Sequence, residues 1–243
     1  MRPAAAATPH PIDAPGTDEQ SWTAWLDALP ATAMSGLTSA VIVAAHPDDE
    51  VLGAGGLIAE LAATGARLRL VAVTDGENSH RGYGDPAALA VRRTAETAAA
   101  LRALGAGTTE VIRLGLPDSE LADHQDELAA ALTRLAAGFD VCLAPWDQDM
   151  HPDHEAAGRA ARRHCPQVLC YPVWMWHWAC PGDSRVPWDR VSRVPLSPRA
   201  AAAKIAAISC FSSQTEDRGP GLGPVLSPGM IAHFTRQAEV LIR

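Results

Sequence analysis

Between Val41 and Val173, short apolar runs alternate with longer stretches of helical period, and each apolar run ends in a polar turn. Val41 to Ala44, Leu68 to Val73, Glu110 to Leu114, Asp140 to Ala144 and Val168 to Val173 read as five strands. Apolar and β-branched runs of this length, bounded by polar, Pro or Gly residues, suit a buried sheet. The stretches between them read as helices. One runs from the turn at Asp48 to about Thr64, with Gly65 as C-cap, and one from Pro86 to about Leu104, stopped by Gly105. Others run from Glu120 to Ala137 and onward from near Asp153. A short helix is expected over Asp18 to Leu29, with Trp22 and Trp25 on one face.

Four β–α units at this spacing place the chain in the α/β class, as a Rossmann-like, mostly parallel sheet with helices on both faces. Ligands of such sheets lie at the carboxyl ends of the strands, where the polar turns fall. Beyond Val173 the rhythm breaks. Trp174, Trp176 and Trp178 alternate with Met175 and His177, and Pro181, Gly182, Pro187 and Trp188 follow. An extended backbone would put the three indoles on one side, available for packing or for the C–H faces of a sugar. Trp174 and Trp176 are therefore candidate substrate contacts. Arg199 to Ile208 reads as a helix, residues 219–224 as a loop, and Met230 to Ile242 as an apolar-periodic segment. The expected organisation is a flexible tail over 1–17 and one domain over 18–243, with a Trp-rich insert at about 174–190.

The chemistry concentrates at Ala45-His46-Pro47-Asp48-Asp49-Glu50. Three carboxylates and an imidazole so close together are poor core material, because unpaired buried charge is costly. A divalent cation beside them is the simplest remedy. His46 and Asp49, three apart, can both face one ion through the Pro47 turn, which leaves Asp48 beside the ion as a general base should be. The turn after the fourth strand holds His151-Pro152-Asp153-His154. A catalytic zinc takes three protein ligands and keeps one position for water. His46, Asp49 and one histidine of the second turn complete such a set. The plainer alternatives are a carboxylate-capped helix N-terminus and a solvated histidine loop, but a cap does not require His-x-x-Asp. His10, His80, His124, His164 and His233 read as surface residues and His177 as structural.

With both motifs in view, the sequence resembles the LmbE-like, or PIG-L-type, zinc deacetylases. These remove acetyl groups from N-acetylglucosamine units on lipids, thiol cofactors and glycosylated antibiotics. The likeness runs over roughly residues 38–215. It takes in Thr74 to Glu77, Arg93 and Glu96 ahead of Leu104-Gly105, Leu114 to Asp118, and Ser213-Gln214. It implies His46, Asp49 and His154 as zinc ligands and Asp48 as the base. It also implies His151 as the group that stabilises the oxyanion or protonates the leaving amine, with Asp153 holding the His151 ring. Arg93 and Asp118 would contact sugar hydroxyls. Zn2+ is the implied cofactor, with Fe2+ or Co2+ compatible with similar ligands. Two positions depart from the family pattern. Asp149 stands where some members carry a tyrosine over the active site, and Phe211 where a histidine often precedes Ser213-Gln214; both differences lie where substrate identity could be set. The implied function is a metal-dependent hydrolase removing an acetyl group from an N-acetylated amino sugar of a glycoconjugate or specialised metabolite. Antibiotic biosynthesis is the preferred context, and an amidase on a thiol-cofactor conjugate is the alternative.

Composition narrows the partners. The 243 residues, 47% hydrophobic, suffice for one substantial α/β domain. A net charge of −8 without a basic run weighs against nucleic acid. Five cysteines with no C-x-x-C pair weigh against a disulfide framework or a four-cysteine zinc site. No apolar run approaches the roughly 20 residues of a membrane span, and the N-terminus lacks the apolar core of a signal peptide. The expected location is the cytoplasm, and a homo-oligomer is left open. Gly53-Ala54-Gly55-Gly56 after a strand raises a dinucleotide-binding or transferase alternative. Those glycines fall inside the helix, however, and carboxylates in the turn would repel a pyrophosphate. A non-catalytic carbohydrate-binding protein of the same fold is a third reading, opposed by the intact set of His46, Asp48, Asp49, His151 and His154.

Overall fold

The computed structural model describes residues 15–80, 82, 84–219 and 223–243. Strands β1 (Ser39–Ala44), β2 (Arg67–Ala72), β3 (Glu110–Arg113), β4 (Val141–Pro145) and β5 (Val168–Tyr171) pair in parallel. Two further strands, β6 (Val191–Pro195) and β7 (Ala238–Ile242), extend the β5 edge as antiparallel neighbours. The order is β3-β2-β1-β4-β5-β7-β6. Side chains of β1 alternate between two cores. Ala40, Ile42 and Ala44 join one with helices α2 (Asp49–Ala63), α3 (Pro86–Ala103) and α7 (Pro198–Ile208). Val41, Val43 and Ala45 join the other with α4 (Gln125–Leu135) and α5 (Pro152–His164). A parallel sheet covered on both faces needs such doubly apolar strands. The chain reverses direction across the sheet between β1 and β4, and both polar motifs follow those two strands. That is the switch point where open α/β sheets bind ligands.

The glycine run inside α2 has a packing cause. A Cβ on Gly53 would stand 2.0 Å from the Tyr171 ring, and one on Gly56 2.3 Å from Leu196. At Ala54 the helix breaks (φ −141°, ψ 15°). The freed N–H groups of Gly56 and Leu57 donate to the Glu239 carboxylate at 2.7 and 2.8 Å. Lys204 Nζ closes the arrangement, 2.7 Å from Glu239 and 2.8 Å from the Leu52 carbonyl. A buried ion pair whose charges also satisfy backbone groups avoids the usual penalty of unpaired burial.

Several expectations change. Helix α4 begins at Gln125, because Ser119 and Leu121 donate their N–H groups to Asp153 and hold the preceding residues as turns. The Trp-rich stretch is not extended: Trp174 opens a one-turn helix, α6 (Met175–Trp178). The closing segment divides into α9 (Pro228–Ala232), after the one-turn α8 (Ser212–Thr215), and strand β7, which pairs with the unforeseen β6. Helix α1 (Glu19–Asp27) forms, capped by Asp18, which accepts from Gln20 N at 2.7 Å. Of the expected tail, residues 1–14, including His10, lie outside the described residues. Thr17 is bonded, its N–H to His177 O at 3.0 Å and its hydroxyl to Ala179 O at 2.5 Å. His233, expected at the surface, is buried and 2.5 Å from Glu19. No described helix is long and apolar enough to cross a membrane.

Candidate active site

The turn after β1 is held in a conformation that an L-residue adopts only under constraint. Asp48 has φ +122°, and such strain persists where surrounding bonds fix it. The His46 N–H donates to Asp49 Oδ2 at 2.8 Å, and the Asp48 N–H to Glu50 Oε2 at 3.2 Å. Arg93 donates to the Pro47 carbonyl, to Gly76 O at 3.0 Å, and lies 3.3 Å from Asp48 Oδ2. Gly76 must be glycine for this: its φ is +68°, and a Cβ would stand 2.0 Å from the guanidinium. The second turn is also constrained, with Met150 at φ +61° just before His151.

These turns bring three donors together. His46 Nδ1 lies 3.3 Å from Asp49 Oδ2, His154 Nε2 lies 3.2 Å from Asp49 Oδ1, and the two ring nitrogens are 3.3 Å apart. A tetrahedral zinc with N and O bonds of about 2.0–2.1 Å has ligand–ligand edges of ~3.3–3.4 Å. The two nitrogens lie at that spacing from each other, and each lies at that spacing from one of the two Asp49 oxygens, so the set matches such an ion in donor type and spacing. His46, His151 and His154 also offer nitrogens within 4.8 Å of one another. His151 is the less buried of the three, with its ring 4.8 Å from that of His46 and 4.6 Å from that of His154.

Each ring in the triangle is steered from behind. His154 Nδ1 is 2.7 Å from Asp149, whose carboxylate also accepts from the N–H groups of Val173, Trp174 and Met175. His46 Nε2 is 3.1 Å from Asp153 and 3.4 Å from Asp118. A carboxylate on the far nitrogen is the usual way a metal-binding histidine is oriented. Asp153 thus holds His46 and not His151, because its oxygens are drawn toward His46 and the N–H groups of Ser119 and Leu121. His151 Nδ1 is buried without a partner among the described residues, and an orphaned polar atom here calls for a bound group. Asp149, expected near the substrate, is fully buried beneath the pocket wall.

The carboxylates of the cluster favour positive charge on the His46 and His154 rings. Burial pulls the His46 pKa down, but the bonds to Asp118, Asp153 and Asp49 outweigh it and leave the ring well above its ordinary value. Burial likewise opposes, and Asp49 with Asp149 overcomes it, to raise His154 to about 9. Burial lifts Asp48 to about 7 against the pull of Arg93. His151 moves the other way: burial and then the charges of His154 and His46 push it down to about 2.

The site opens into a cavity of about 470 Å³. Trp174 lines it, but Trp176 does not. Trp176 is 3% exposed, edge-on to Trp22 at 5.1 Å and capped by Arg236 at 4.1 Å. One helical turn, at about 100° per residue, sends alternate side chains to different faces. Trp178 instead stacks on Trp146 at 6.3 Å. Arg93 and Asp118 line the cavity, but their bonds are mostly to protein. Asp118 accepts from Asn78 N at 2.8 Å and faces His46, while Arg93 braces the first turn. Asn78, Ser79 and His80 after β2, and Gln214, Arg218, Val225 and Leu226 from the late chain, also line it. The β2 loop was within reach of the strand-end rule, whereas the late residues carry no local signal.

A family model described as PIG-L, GlcNAc-PI de-N-acetylase, matches residues 41–165. The 1D-myo-inositol 2-acetamido-2-deoxy-alpha-D-glucopyranoside deacetylase of Streptomyces scabiei (strain 87.22) is 30% identical over 248 residues, covering 82% of this chain and 76% of its own. A conserved protein of Thermus thermophilus shares the fold at a TM-score of 0.58 and 27% identity, over 85% of this chain and 94% of that one. A deacetylase of teicoplanin biosynthesis, solved with teicoplanin, shares it at 0.60 and 18% identity, over 84% and 97%. The matched span holds both polar turns, most of β1 and the whole of β2, β3 and β4, and the chain belongs to the PIG-L family.

Proposed function

We propose that this protein is a zinc-dependent deacetylase that hydrolyses the acetamide of an N-acetylglucosamine-type sugar on a glycoconjugate or specialised metabolite. The observation that carries the reading is the donor triangle of His46, Asp49 and His154, with Asp48 beside it and His151 facing the same cavity. His46, Asp49 and His154 would hold the ion. When bound, zinc supplies Lewis acidity to the amide carbonyl and acidifies water to about pKa 7.

Asp48 takes the proton from the attacking water. Burial places its carboxyl near neutrality, where a general base works best. His151 stays neutral, and its ring donates a hydrogen bond to the carbonyl oxygen as negative charge develops there. Asp48 then delivers the proton to the departing nitrogen, giving acetate and a free amine. Arg93 holds Asp48 and its turn in place throughout. A sugar joined to a small polyol, as named for the Streptomyces scabiei relative, is a second substrate reading.

The test is acetate release from a panel of N-acetylated amino sugars, including an inositol glycoside and a glycopeptide, by zinc-loaded and chelator-treated protein. Zinc-dependent release from at least one member is expected. Stoichiometric zinc with no release from any of them would overturn the reading.

A further inference from the structure

Charge is unevenly distributed along the cavity. On the floor each carboxylate has a cationic or hydrogen-bonding neighbour: Asp48 faces Arg93, and Asp49, Asp118 and Asp153 surround His46 at 3.1–3.4 Å. The rest of the lining includes Trp174, Gln214, Val225, Leu226, Ser79 and His80, and the one charged side chain it adds among the described residues is the half-exposed Arg218. Its Nε donates to Gly223 O at 2.7 Å, which ties the guanidinium to its own loop. Its terminal nitrogens meet no carboxylate among the described residues. Glu216, its near neighbour in sequence, is paired with Arg92 at 2.8 Å. Burial, and then the charges of Arg93, Arg218 and Arg92, hold the His80 ring below its ordinary pKa. A guanidinium fixed by its own loop and left without an anion presents a planar fork suited to a carboxylate or phosphate.

We propose that Arg218 forms an anion subsite at the mouth of the cavity, and that the substrate carries a carboxylate or phosphate on the portion projecting beyond the acetylated sugar. The proposal rests on the deacetylase reading and narrows its substrate class.

The experiment uses matched N-acetylglucosaminides whose C1 chains, of graded length, end in a carboxylate, a phosphate or a hydroxyl. At the best length the acidic probe should exceed its hydroxyl twin by about 10–100-fold in kcat/KM, the usual worth of a charge-assisted bond. The better of the two acids identifies the source of the anion. The preference should shrink with added salt. Arg218→Gln, which keeps a donor for the Gly223 carbonyl, should bring the ratio toward one, and Arg218→Lys should restore part of it. No acidic preference at any length, or a preference that survives Arg218→Gln, overturns the subsite. Release of acetate from none of the probes overturns the deacetylase reading as well.

Discussion

The floor of the cavity draws His46, Asp48, Asp49, Asp153 and His154 from the turns after β1 and β4, whereas the mouth draws Trp174, Gln214, Arg218 and Leu226 from the chain beyond β5. Floor residues are buried and mutually bonded, so each ionisable group depends on two or three others. Those of the second group sit on short helices and loops, and Asp149 links the two by bonding both His154 and the Trp174 N–H. The difference implies that the reaction chemistry and the choice of substrate are physically separable. Change on the floor should alter metal and rate, and change at the mouth should alter only which substrate is preferred.

The largest effect is expected where the floor loses a ligand. His46→Ala, Asp49→Ala or His154→Ala removes one of three donors and should strip most of the zinc, read as metal content of purified protein. A folded Asp49→Ala protein with full zinc would take Asp49 out of the set. Asp48→Asn should keep the zinc and lower turnover by about 10²–10⁴-fold, the range of general-base catalysis. Turnover within a few-fold of wild type would assign the base elsewhere.

Two tryptophans two residues apart sharpen the contrast. Trp176→Ala should cost about 3–5 kcal/mol in unfolding free energy, as for other buried aromatic truncations. Trp174→Ala should leave stability closer to wild type and change the ratio of kcat/KM between bulky and small substrates. Equal destabilisation by both variants would dissolve the division between core and mouth.

Asp149 is the bridge between the two regions. Asp149→Asn should weaken zinc binding by about 10–100-fold, the usual consequence of losing a ligand's outer partner, measured by competition with a chelator. Wild-type affinity in a folded variant would reduce Asp149 to a wall support.

The smallest effect lies outside the cavity lining, where Glu19 joins His233 and Arg236. Burial raises the Glu19 pKa, but these partners outweigh it and hold the carboxyl below its ordinary 4.5. A depressed pKa means stability that is present above about 4.5 and lost as pH falls through the folded value. Glu19→Gln should therefore flatten the acid limb of a Tm-versus-pH curve while metal content stays unchanged. A parallel curve would show that the cluster does not contribute to acid sensitivity.

The amino-acid sequence by itself determined the five parallel strands of the sheet and the contents of both polar turns. Those features depend on runs of a few residues: an apolar strand, a Pro or Gly boundary, a charged turn. Local runs also placed His46, Asp48, Asp49, His151 and His154 at strand ends, and β1 and β4 lie side by side. Tertiary structure decided the rest, because the partners are remote. Asp153 reaches His46 across 107 residues, Trp22 donates to the Trp176 carbonyl across 154, and Glu239 caps the broken α2 across 183. Alternation along Trp174 to Trp178 is equally compatible with a strand or a helical turn. The N–H groups of Val173, Trp174 and Met175 gathering on one buried carboxylate, Asp149, select the turn. Arg218 reaches the cavity only because the chain returns there after α7. Which side chain faces a ligand depends on packing directions set by neighbours from 24 to 183 residues away, and no local pattern encodes those.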